Sequence, residues 1–302
     1  MIPCYNQGRF LREALDSVRT ATSRPVEVTV VDDGSTDDTG AVASRRPGTI
    51  CVRQANAGLA AARNRGLEEA RGKYVAFLDA DDRLAPDGLE IGATALDEHP
   101  DCAMTYGRCL MMGGDGTLLA TPPQPRVERD HYRELLRQNL IWTPAMAIFR
   151  REAVVAAGGF DPTVNAAADY RLYLRIARRH PVHDHARTVA FYRQHGASMS
   201  QDATRMLRES LRVLAAEWPF VQGRKDLEAA YREGWRTWQE VYGTALVNEV
   251  RAHVRDREWA AAARKALTLS RLHPRGLVHH ATRKLSLALR RRSLASSSDG
   301  CD

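Results

Sequence analysis

The chain has 302 residues, of which 44% are hydrophobic and 27% charged, so it can bury the core of one large domain with an appendage. No run approaches the roughly 18 consecutive apolar residues of a membrane-spanning helix, and the first residues lack the charged-then-apolar order of a secretory signal, so we expect a cytoplasmic protein. The net charge of +7 does not indicate nucleic-acid binding, because nine basic residues between Glu258 and Asp299, with no acidic residue among them, exceed the whole surplus.

The cysteines agree with the expected cytoplasmic location. The five cysteines are odd in number and include no C-x-x-C pair, which argues against a disulfide framework or a zinc site. We therefore interpret most of them as small core residues in a reducing compartment.

From the start to about residue 110, short β-rich runs alternate with helical stretches, which predicts an α/β domain with a parallel sheet. The predicted strands are 26–31, 50–52, 74–78 and 102–112. The predicted helices are 10–19, 36–44 and 59–70.

The second half of the chain changes character near residue 203. Before it, we predict a strand at 145–149, a helix at 169–178 and an extended segment at 188–193. After it the pattern is almost wholly helical, with one long helix across 227–246 and further helices at 259–272 and 277–289. The expected organisation is therefore an α/β domain over 1–202, a helical C-terminal region over 203–295 and a disordered tail over 296–302.

Three carboxylates crowd the sequence FLDADDRL directly after the apolar run at 74–78. Asp79, Asp81 and Asp82 would repel one another unless a positive charge lay among them. A Mg²⁺ or Mn²⁺ ion would supply that charge, because these ions take oxygen ligands and need only one or two protein carboxylates. The alternative is a solvated turn in which Asp82 or Asp87 caps a helix near 86–96.

A second acidic segment, DDGS at 32–35, follows the predicted strand 26–31. Ligands of open parallel sheets bind beyond the carboxyl ends of the strands, so both acidic segments should meet at one edge. An aspartate there can accept the ring N–H of uracil, thymine or guanine, whereas cytosine presents an acceptor and would be refused. The alternative is a turn in which Ser35 or Thr36 caps the next helix.

Six segments, taken together, resemble the motif series of the family 2 glycosyltransferases. They are PCYN at 3–6, VDDGSTDDT at 31–39, NAGLAAARNRGLEEARGKYVAFLDADD at 56–82, GGFD at 158–161, ADYRLYLR at 168–175 and YRQHGASMS at 192–200. The resemblance covers roughly residues 1–200 and is specific as an ordered set. It implies an inverting enzyme with the GT-A fold over 1–202, Rossmann-like with a mostly parallel sheet and flanking helices. No motif of the family is matched after about residue 203.

The resemblance also implies roles for individual residues. Those that would hold the nucleotide-sugar are Pro3, Tyr5 and Asp33 at the base and ribose, Gly58 and Arg63 near the nucleotide, and Asp79 towards the ribose or sugar. Asp81 and His195 would contact a Mn²⁺ or Mg²⁺ ion, although a lone histidine at a strand end is often structural. Asp169 is the expected catalytic base, since a helix N-terminus favours its ionised form. Its alternative role is that of an N-cap only.

Two departures from the family pattern affect these expectations. The family usually has Glu-Asp where this chain has Ala168-Asp169, which weakens inference about the acceptor more than about the base. The family's first strand also carries several apolar residues before the proline, whereas here only Met1 and Ile2 precede Pro3. A central strand shortened in this way would leave neighbouring backbone groups unpaired, so we expect the true start to lie upstream or the domain to be weakened.

The function we expect is transfer of a sugar from a nucleotide-diphosphate sugar, most simply a UDP-sugar, to a glycan or lipid-linked acceptor in bacterial surface polysaccharide synthesis. One alternative is a sugar-phosphate nucleotidyltransferase, but PCYNQGRF offers only Gly8 and Arg9 to grip a triphosphate. Another is a non-catalytic binding or scaffold protein that keeps the fold. For the acceptor, Trp142 is either a stacking face or a core residue.

The last predicted helix, 277–289, is amphipathic and basic, with Arg283 and Lys284 beside its apolar face and Arg290–Arg292 beyond it. Such a helix can lie in the headgroup layer of an anionic membrane, which would place the protein at the inner face of the plasma membrane. The alternative is docking against the catalytic domain.

Overall fold

The computed structural model describes residues 1–196 and 198–273. Its strands are β1 (Ile2–Cys4), β2 (Val28–Asp32), β3 (Thr49–Arg53), β4 (Tyr74–Ala76), β5 (Arg83–Leu84), β6 (Met104–Gly113), β7 (Ala147–Arg150) and β8 (Val182–Gln194). Its α-helices are α1 (Gly8–Val18), α2 (Thr39–Ser44), α3 (Leu59–Glu69), α4 (Gly88–Glu98), α5 (His131–Arg137), α6 (Arg151–Ala156), α7 (Ala168–Ala177), α8 (Ala203–Val221), α9 (Lys225–Arg255) and α10 (Trp259–Leu272). The predicted helix 277–289 and the predicted tail 296–302 lie outside the described residues.

The strands form two sheets. In the first, β1, β2 and β3 pair in parallel, as the alternating pattern predicts. The second has the order β4-β7-β6-β8-β5, and only its β6–β8 pair is parallel. The mostly parallel sheet that we expected is therefore confined to the N-terminal strands, since hydrophobic periodicity identifies a strand but not its direction.

Two backbone hydrogen bonds connect the sheets at the end of β4. The Met1 nitrogen donates to the Ala76 carbonyl at 2.7 Å, and the Leu78 nitrogen donates to the Met1 carbonyl at 3.0 Å. The chain leaving β4 thus runs beside β1 and emerges at the same edge as β1 and β2. The segment 79–82 and the segment 32–35 meet there, as their positions after strands predict.

The boundaries of several elements differ from the sequence expectation for local reasons. The helix expected at 36–44 begins only at Thr39, because the Asp37 carboxylate accepts the Thr39 N–H at 3.0 Å and holds the preceding residues in a turn. The strand expected at 145–149 starts with a 3-10 turn at Pro144–Met146 and becomes extended at Ala147. The extended segment expected at 188–193 is the second half of the 13-residue strand β8.

The helices after residue 202 pack on the α/β part through one continuous hydrophobic core. The Glu217 carboxylate of α8 is buried and accepts from the Tyr132 hydroxyl at 2.9 Å and from the Arg178 guanidinium at 2.7 Å. On α9, Gly234 lies so close to the Leu136 carbonyl that a Cβ there would be 1.9 Å from its oxygen. No helix in the described ranges is both long and apolar enough to cross a membrane.

Candidate active site

A cavity of about 560 Å³ opens where β1, β2 and the chain leaving β4 end. Eight of the nine residues expected from the sequence line it: Pro3, Tyr5, Asp33, Gly58, Arg63, Asp79, Asp81 and Asp169. The ninth, His195, contacts Asp81 from the side. Residues of α8 and α9 also line the cavity, so the helical region forms part of its wall.

Asp33 is buried at one end of the cavity and held by the loop before α3. Its Oδ1 accepts from the Gln54 amide at 2.7 Å and from the Ala57 N–H at 2.9 Å, and its Oδ2 accepts from the Gly58 N–H at 2.9 Å. Gly58 has a φ of +90°, a conformation that a side chain would strain. Oδ2 has a single hydrogen bond to the described residues, so one acceptor direction is available for a ligand N–H.

The alternative for the DDGS segment, in which Ser35 or Thr36 caps the next helix, is wrong. Helix α2 begins at Thr39, beyond both Ser35 and Thr36, and its N-cap residue is Asp38. Asp32 is instead a structural carboxylate: it is fully buried, and its Oδ1 accepts the Ser35 N–H at 2.8 Å. The two adjacent aspartates therefore separate, with Asp32 fixing the turn and Asp33 lining the cavity.

Asp79 is paired with Arg63, the largest fully buried side chain on α3. The Arg63 Nη2 donates to Asp79 Oδ1 at 2.6 Å, and the guanidinium lies 5.2 Å from the centre of the Phe160 ring. Burial disfavours its charge, but the charges of Asp79 and Asp169 outweigh that effect and raise the Arg63 pKa. Arg63 thus remains a fixed positive charge between two carboxylates.

Asp81 lies against His195, whose ring nitrogen Nε2 is 2.9 Å from Asp81 Oδ2. Burial and the neighbouring Asp79 charge raise the pKa of Asp81, while His195 opposes the shift. The imidazole of His195 rests on the Phe10 ring of α1, with 5.1 Å between ring centres. Strand β8 and helix α1 therefore position the two side chains together.

Asp82 has a structural role, so the alternative in which it caps a helix is wrong. Asp82 is 1% exposed and accepts from the Thr143 hydroxyl and, at 2.8 Å, from the Arg193 N–H. Burial and then the charges of Asp81 and Asp79 raise its pKa well above the ordinary value. Asp87 does occupy the N-cap position of α4, in a left-handed conformation, but its side chain makes no capping bond.

Arg193 holds the acidic loop, residues 79–82, and was not singled out from the sequence. Its side chain is 1% exposed, and its Nε donates to the Asp81 carbonyl at 2.6 Å. Its two terminal nitrogens reach the Gly114 carbonyl at 3.1 Å and the Glu13 carboxylate at 2.7 Å. The sequence did contain a signal for this role. A cluster of carboxylates requires a positive charge nearby, and the segment YRQH at 192–195 contains Arg193.

Asp169 lies in the first turn of α7, one residue after Ala168, and the N-cap position belongs to Ala167. Its Oδ1 accepts the Tyr170 N–H at 2.7 Å. Burial raises the Asp169 pKa to about 6, although the Arg63 charge opposes the shift. The expectation that the helix N-terminus would favour the ionised form is thus outweighed by desolvation.

Glu209 of α8 fixes the loop before Asp169 and was also missed from the sequence. Its Oε2 accepts the backbone N–H groups of Asn165 at 2.8 Å and Ala166 at 2.5 Å. Its Oε1 lies 3.4 Å from the Arg205 guanidinium. The helical region therefore supplies both cavity wall and support for the α7 terminus.

The family model for glycosyl transferase family 2 matches residues 1–156, which is more than half of the chain. The chain belongs to this family. A relative, the uncharacterized glycosyltransferase YibD of Escherichia coli K12, is 43% identical over 108 residues, which cover 34% of this chain and 31% of YibD. Chondroitin synthase of Escherichia coli is 28% identical over 204 residues, or 66% of this chain and 29% of that protein. The chain therefore spans less than a third of either relative.

Two solved structures resemble the family 2 glycosyltransferase described here. S. aureus TarS 1–349 in complex with UDP has a TM-score of 0.61 and 19% identity, covering 78% of this chain and 69% of that one. The mannosyltransferase PcManGT from Pyrobaculum calidifontis, in complex with GDP-Man and Mn²⁺, has a TM-score of 0.59 and 20% identity, covering 91% and 86%. These likenesses confirm the expected GT-A type of α/β fold.

The carboxylate oxygens at this cavity fit a divalent cation that shares its ligands with a bound molecule. Within residues 1–196 and 198–273, no group of three or more histidine, cysteine, aspartate or glutamate side chains is arranged to hold a metal. Asp81 and His195 form a hydrogen-bonded pair, with 2.9 Å between Asp81 Oδ2 and His195 Nε2. The carboxylate oxygens of Asp81 and Asp79 are the ligand type that Mg²⁺ and Mn²⁺ prefer, so these residues would hold the ion, with His195 beside them. Substrate oxygens and water would complete such a site.

Proposed function

We propose that the protein is a metal-dependent, inverting glycosyltransferase that uses a nucleotide-diphosphate sugar. The observation that carries this proposal is that Asp33, Asp79, Asp81 and Asp169 line one cavity, with the fixed cation Arg63 between Asp79 and Asp169. A carboxylate for the nucleobase, an acidic pair for the diphosphate and its metal, and a proton acceptor are the parts that this reaction needs.

The proposed donor is a UDP-sugar. The structural neighbours are described in complex with UDP, UDP-GlcNAc and GDP-Man, and the two uridine complexes are both of TarS. The free acceptor direction of Asp33 Oδ2 suits the ring N–H of uracil, and Tyr5, which is 49% exposed, can cover the base. Pro3 and Gly58 line the same end and leave room for the ribose.

Arg63 and Asp169 provide the chemistry at the reacting carbon. In this mechanism the acceptor hydroxyl gives its proton to Asp169 as its oxygen bonds the anomeric carbon, and the diphosphate leaves from the opposite face. Arg63 keeps Asp79 oriented towards the donor sugar or ribose. Asp81 and His195 would hold the Mn²⁺ or Mg²⁺ ion, whose charge offsets that of the diphosphate.

The proposed acceptor is a hydroxyl of a glycan or of a lipid-linked intermediate in bacterial surface polysaccharide synthesis. Chondroitin and hyaluronan synthases among the relatives support a polysaccharide product. A cytoplasmic protein could reach a lipid-linked acceptor by peripheral contact through the basic segment 277–292. Co-sedimentation with anionic vesicles, compared for the full chain and a truncation before Arg275, tests that contact, and equal sedimentation of both would reject it.

The central test is hydrolysis and transfer from a panel of UDP- and GDP-sugars with and without MnCl₂. We expect Mn²⁺-dependent release of the nucleotide from a UDP-sugar, and loss of more than 100-fold in Asp81→Ala. The matched control is Asp226→Ala, which removes an exposed carboxylate of α9. Binding of nucleotide-sugars without any turnover would favour a scaffold protein, and release of pyrophosphate from a nucleoside triphosphate would favour a nucleotidyltransferase.

A further inference from the structure

Another cavity, of about 520 Å³, lies beside Met1, at the opposite end of β1 from the active-site cavity. Most of its wall is apolar. The wall includes Val28 of β2, Val75 of β4, Val18 of α1, Leu89 and Ala93 of α4, and Gly66 of α3. None of the functional residues expected from the sequence lines this cavity.

The cavity is a gap in the sheet and not a groove on one of its faces. β4 lies beside β1 on the side away from β2, because Met1 shares two backbone hydrogen bonds with the segment 76–78. The crossovers β1–α1–β2 and β3–α3–β4 therefore run in opposite directions along the sheet, and right-handed crossovers place α1 and α3 on opposite faces. Since residues of both helices line the cavity, it passes through the sheet between β2 and β4.

Backbone N–H groups face this gap from both sides. The Asp33 N–H donates to the Cys4 carbonyl at 2.9 Å, and every second residue of β2 bonds β1, so the buried Thr29 N–H is directed into the gap. On the other side, the Ala76 carbonyl accepts from the Met1 nitrogen at 2.7 Å. The N–H of a strand residue points to the same side as its carbonyl, so the Ala76 N–H also faces the gap. Donors on two facing strand edges call for the carbonyls of an extended backbone between them.

The side chains around the gap indicate the chemistry of its occupant. At the outer rim, Asp97 pairs with Arg24 at 2.7 Å and with Lys73 at 3.0 Å, so neither cation is free to bind an anion. At the inner end lies the amino group of Met1, whose pKa is lowered to about 6 by burial. A carboxylate beside this group would offset the cost of its charge. The gap therefore suits an apolar segment that ends in a carboxylate.

We propose that this gap binds an extended apolar peptide with a free C-terminal carboxylate, which adds a short strand parallel to β2 and β4. In the register of β1, Ile2 lies opposite Val30, so the last residue of the peptide lies opposite Val28. Its carboxylate accepts the Thr29 N–H, and the carbonyl of the residue before it accepts the Ala76 N–H. The side chains of the peptide alternate between the two faces of the sheet, both of which are apolar here. This binding does not depend on the proposed glycosyl transfer.

The test is binding of the peptide acetyl-KTVVV, with a free carboxylate, to the full chain, measured by calorimetry and by the Tm. We expect one peptide to bind per chain and the Tm to rise by about 5 °C at a peptide concentration of about 100 times Kd. Two altered peptides test the mode of binding. A proline at the last position removes one strand N–H, and a C-terminal amide removes the charge, so each should bind about tenfold more weakly.

A variant of the protein tests the location. Ala93→Phe places a ring in the cavity and should abolish peptide binding, while Ala260→Phe, at an exposed position of α10, is the control and should bind as the wild type does. The proposal would be overturned by a wild-type protein that binds no peptide, or by equal affinity for the peptide that ends in proline, since an added strand needs that N–H. Undiminished binding to Ala93→Phe would place the peptide elsewhere and would also overturn it.

Discussion

The two ends of the active-site cavity are built in different ways. At the end lined by Asp33, Asp79 and Asp81, which we call the donor end after the proposed donor, each carboxylate is held by hydrogen bonds or by a cation: Asp33 by two backbone N–H groups, Asp79 by Arg63, and Asp81 by His195. At the other end, Trp142 and Trp238 provide aromatic surface, and Trp238 belongs to the docked helix α9. The difference shows that the fold itself orients the carboxylates of the donor end, whereas the other end depends on how the helices dock.

Asp169 lies between these ends, and its replacement should give the largest effect. In Asp169→Asn we expect transfer to fall about 1000-fold, because a general base contributes about 10²–10⁴ in rate. The same replacement should make the fold more stable. The folded-state pKa of Asp169, about 6, exceeds the ordinary 3.8, so the stabilisation from binding this proton is complete below pH 3.8 and is lost as the pH rises through 6.

Unfolding of Asp169→Asn at pH 7.5 should therefore require about 1 kcal/mol more than unfolding of the wild type, after allowance for the partial exposure of the side chain. Urea titrations of both proteins measure this difference. A loss of transfer below tenfold would exclude Asp169 as the base. A parallel loss of stability and activity would assign it a structural role.

The second prediction tests whether the donor end depends on Arg193. Arg193→Met removes the bonds to the Asp81 carbonyl and the Gly114 carbonyl, so the acidic loop loses its fixed position. We expect the Mn²⁺ concentration for half-maximal activity to rise about 10- to 100-fold, as for other residues that orient metal ligands. Arg83→Met is the matched control, because Arg83 also lies near Glu13, at 3.7 Å, but makes no hydrogen bond to the acidic loop. Equal metal dependence in the two variants would contradict the role of Arg193.

The third prediction tests the dependence of the other end on helix docking. A Cβ at Gly234 would clash with the backbone of Leu136, so Gly234→Ala should push α9 away and lower the free energy of unfolding by about 2 kcal/mol. We expect transfer to fall about tenfold, with a smaller effect on UDP binding, measured by calorimetry. Gly243→Ala, on the same helix, meets a side chain, the His273 ring at 2.7 Å, and not the backbone, so it should cost less than Gly234→Ala. A tenfold loss of UDP binding in Gly234→Ala would show that the two ends are not separable.

The same contrast explains how much of the molecule could be predicted from its sequence. Asp33, Asp79, Asp81 and Asp169 were recognisable because each directly follows a strand or opens a helix within a readable motif. The partners of these residues were not, since Arg193 reaches the Asp81 carbonyl across 112 positions and Glu209 reaches Asn165 across 44. Such contacts depend on packing, which periodicity does not report. The cavity wall on α8 and α9 was missed for the same reason, because its residues also fit an ordinary amphipathic pattern.

The smallest expected effect is a pH dependence that locates the base between the two ends. If Asp169 must be ionised, kcat/KM for transfer should fall on the acid side with an apparent pKa of about 6, to about half at pH 6 and about a tenth at pH 5. The residual activity of Asp169→Asn should lack this acid limb, and UDP binding should be measured over the same range so that donor affinity is separated from chemistry. An acid limb that persists in Asp169→Asn would assign the titration to another group at the donor end. Its disappearance would assign the apparent pKa of about 6 to Asp169, where burial raises the pKa and the charge of Arg63 opposes the shift.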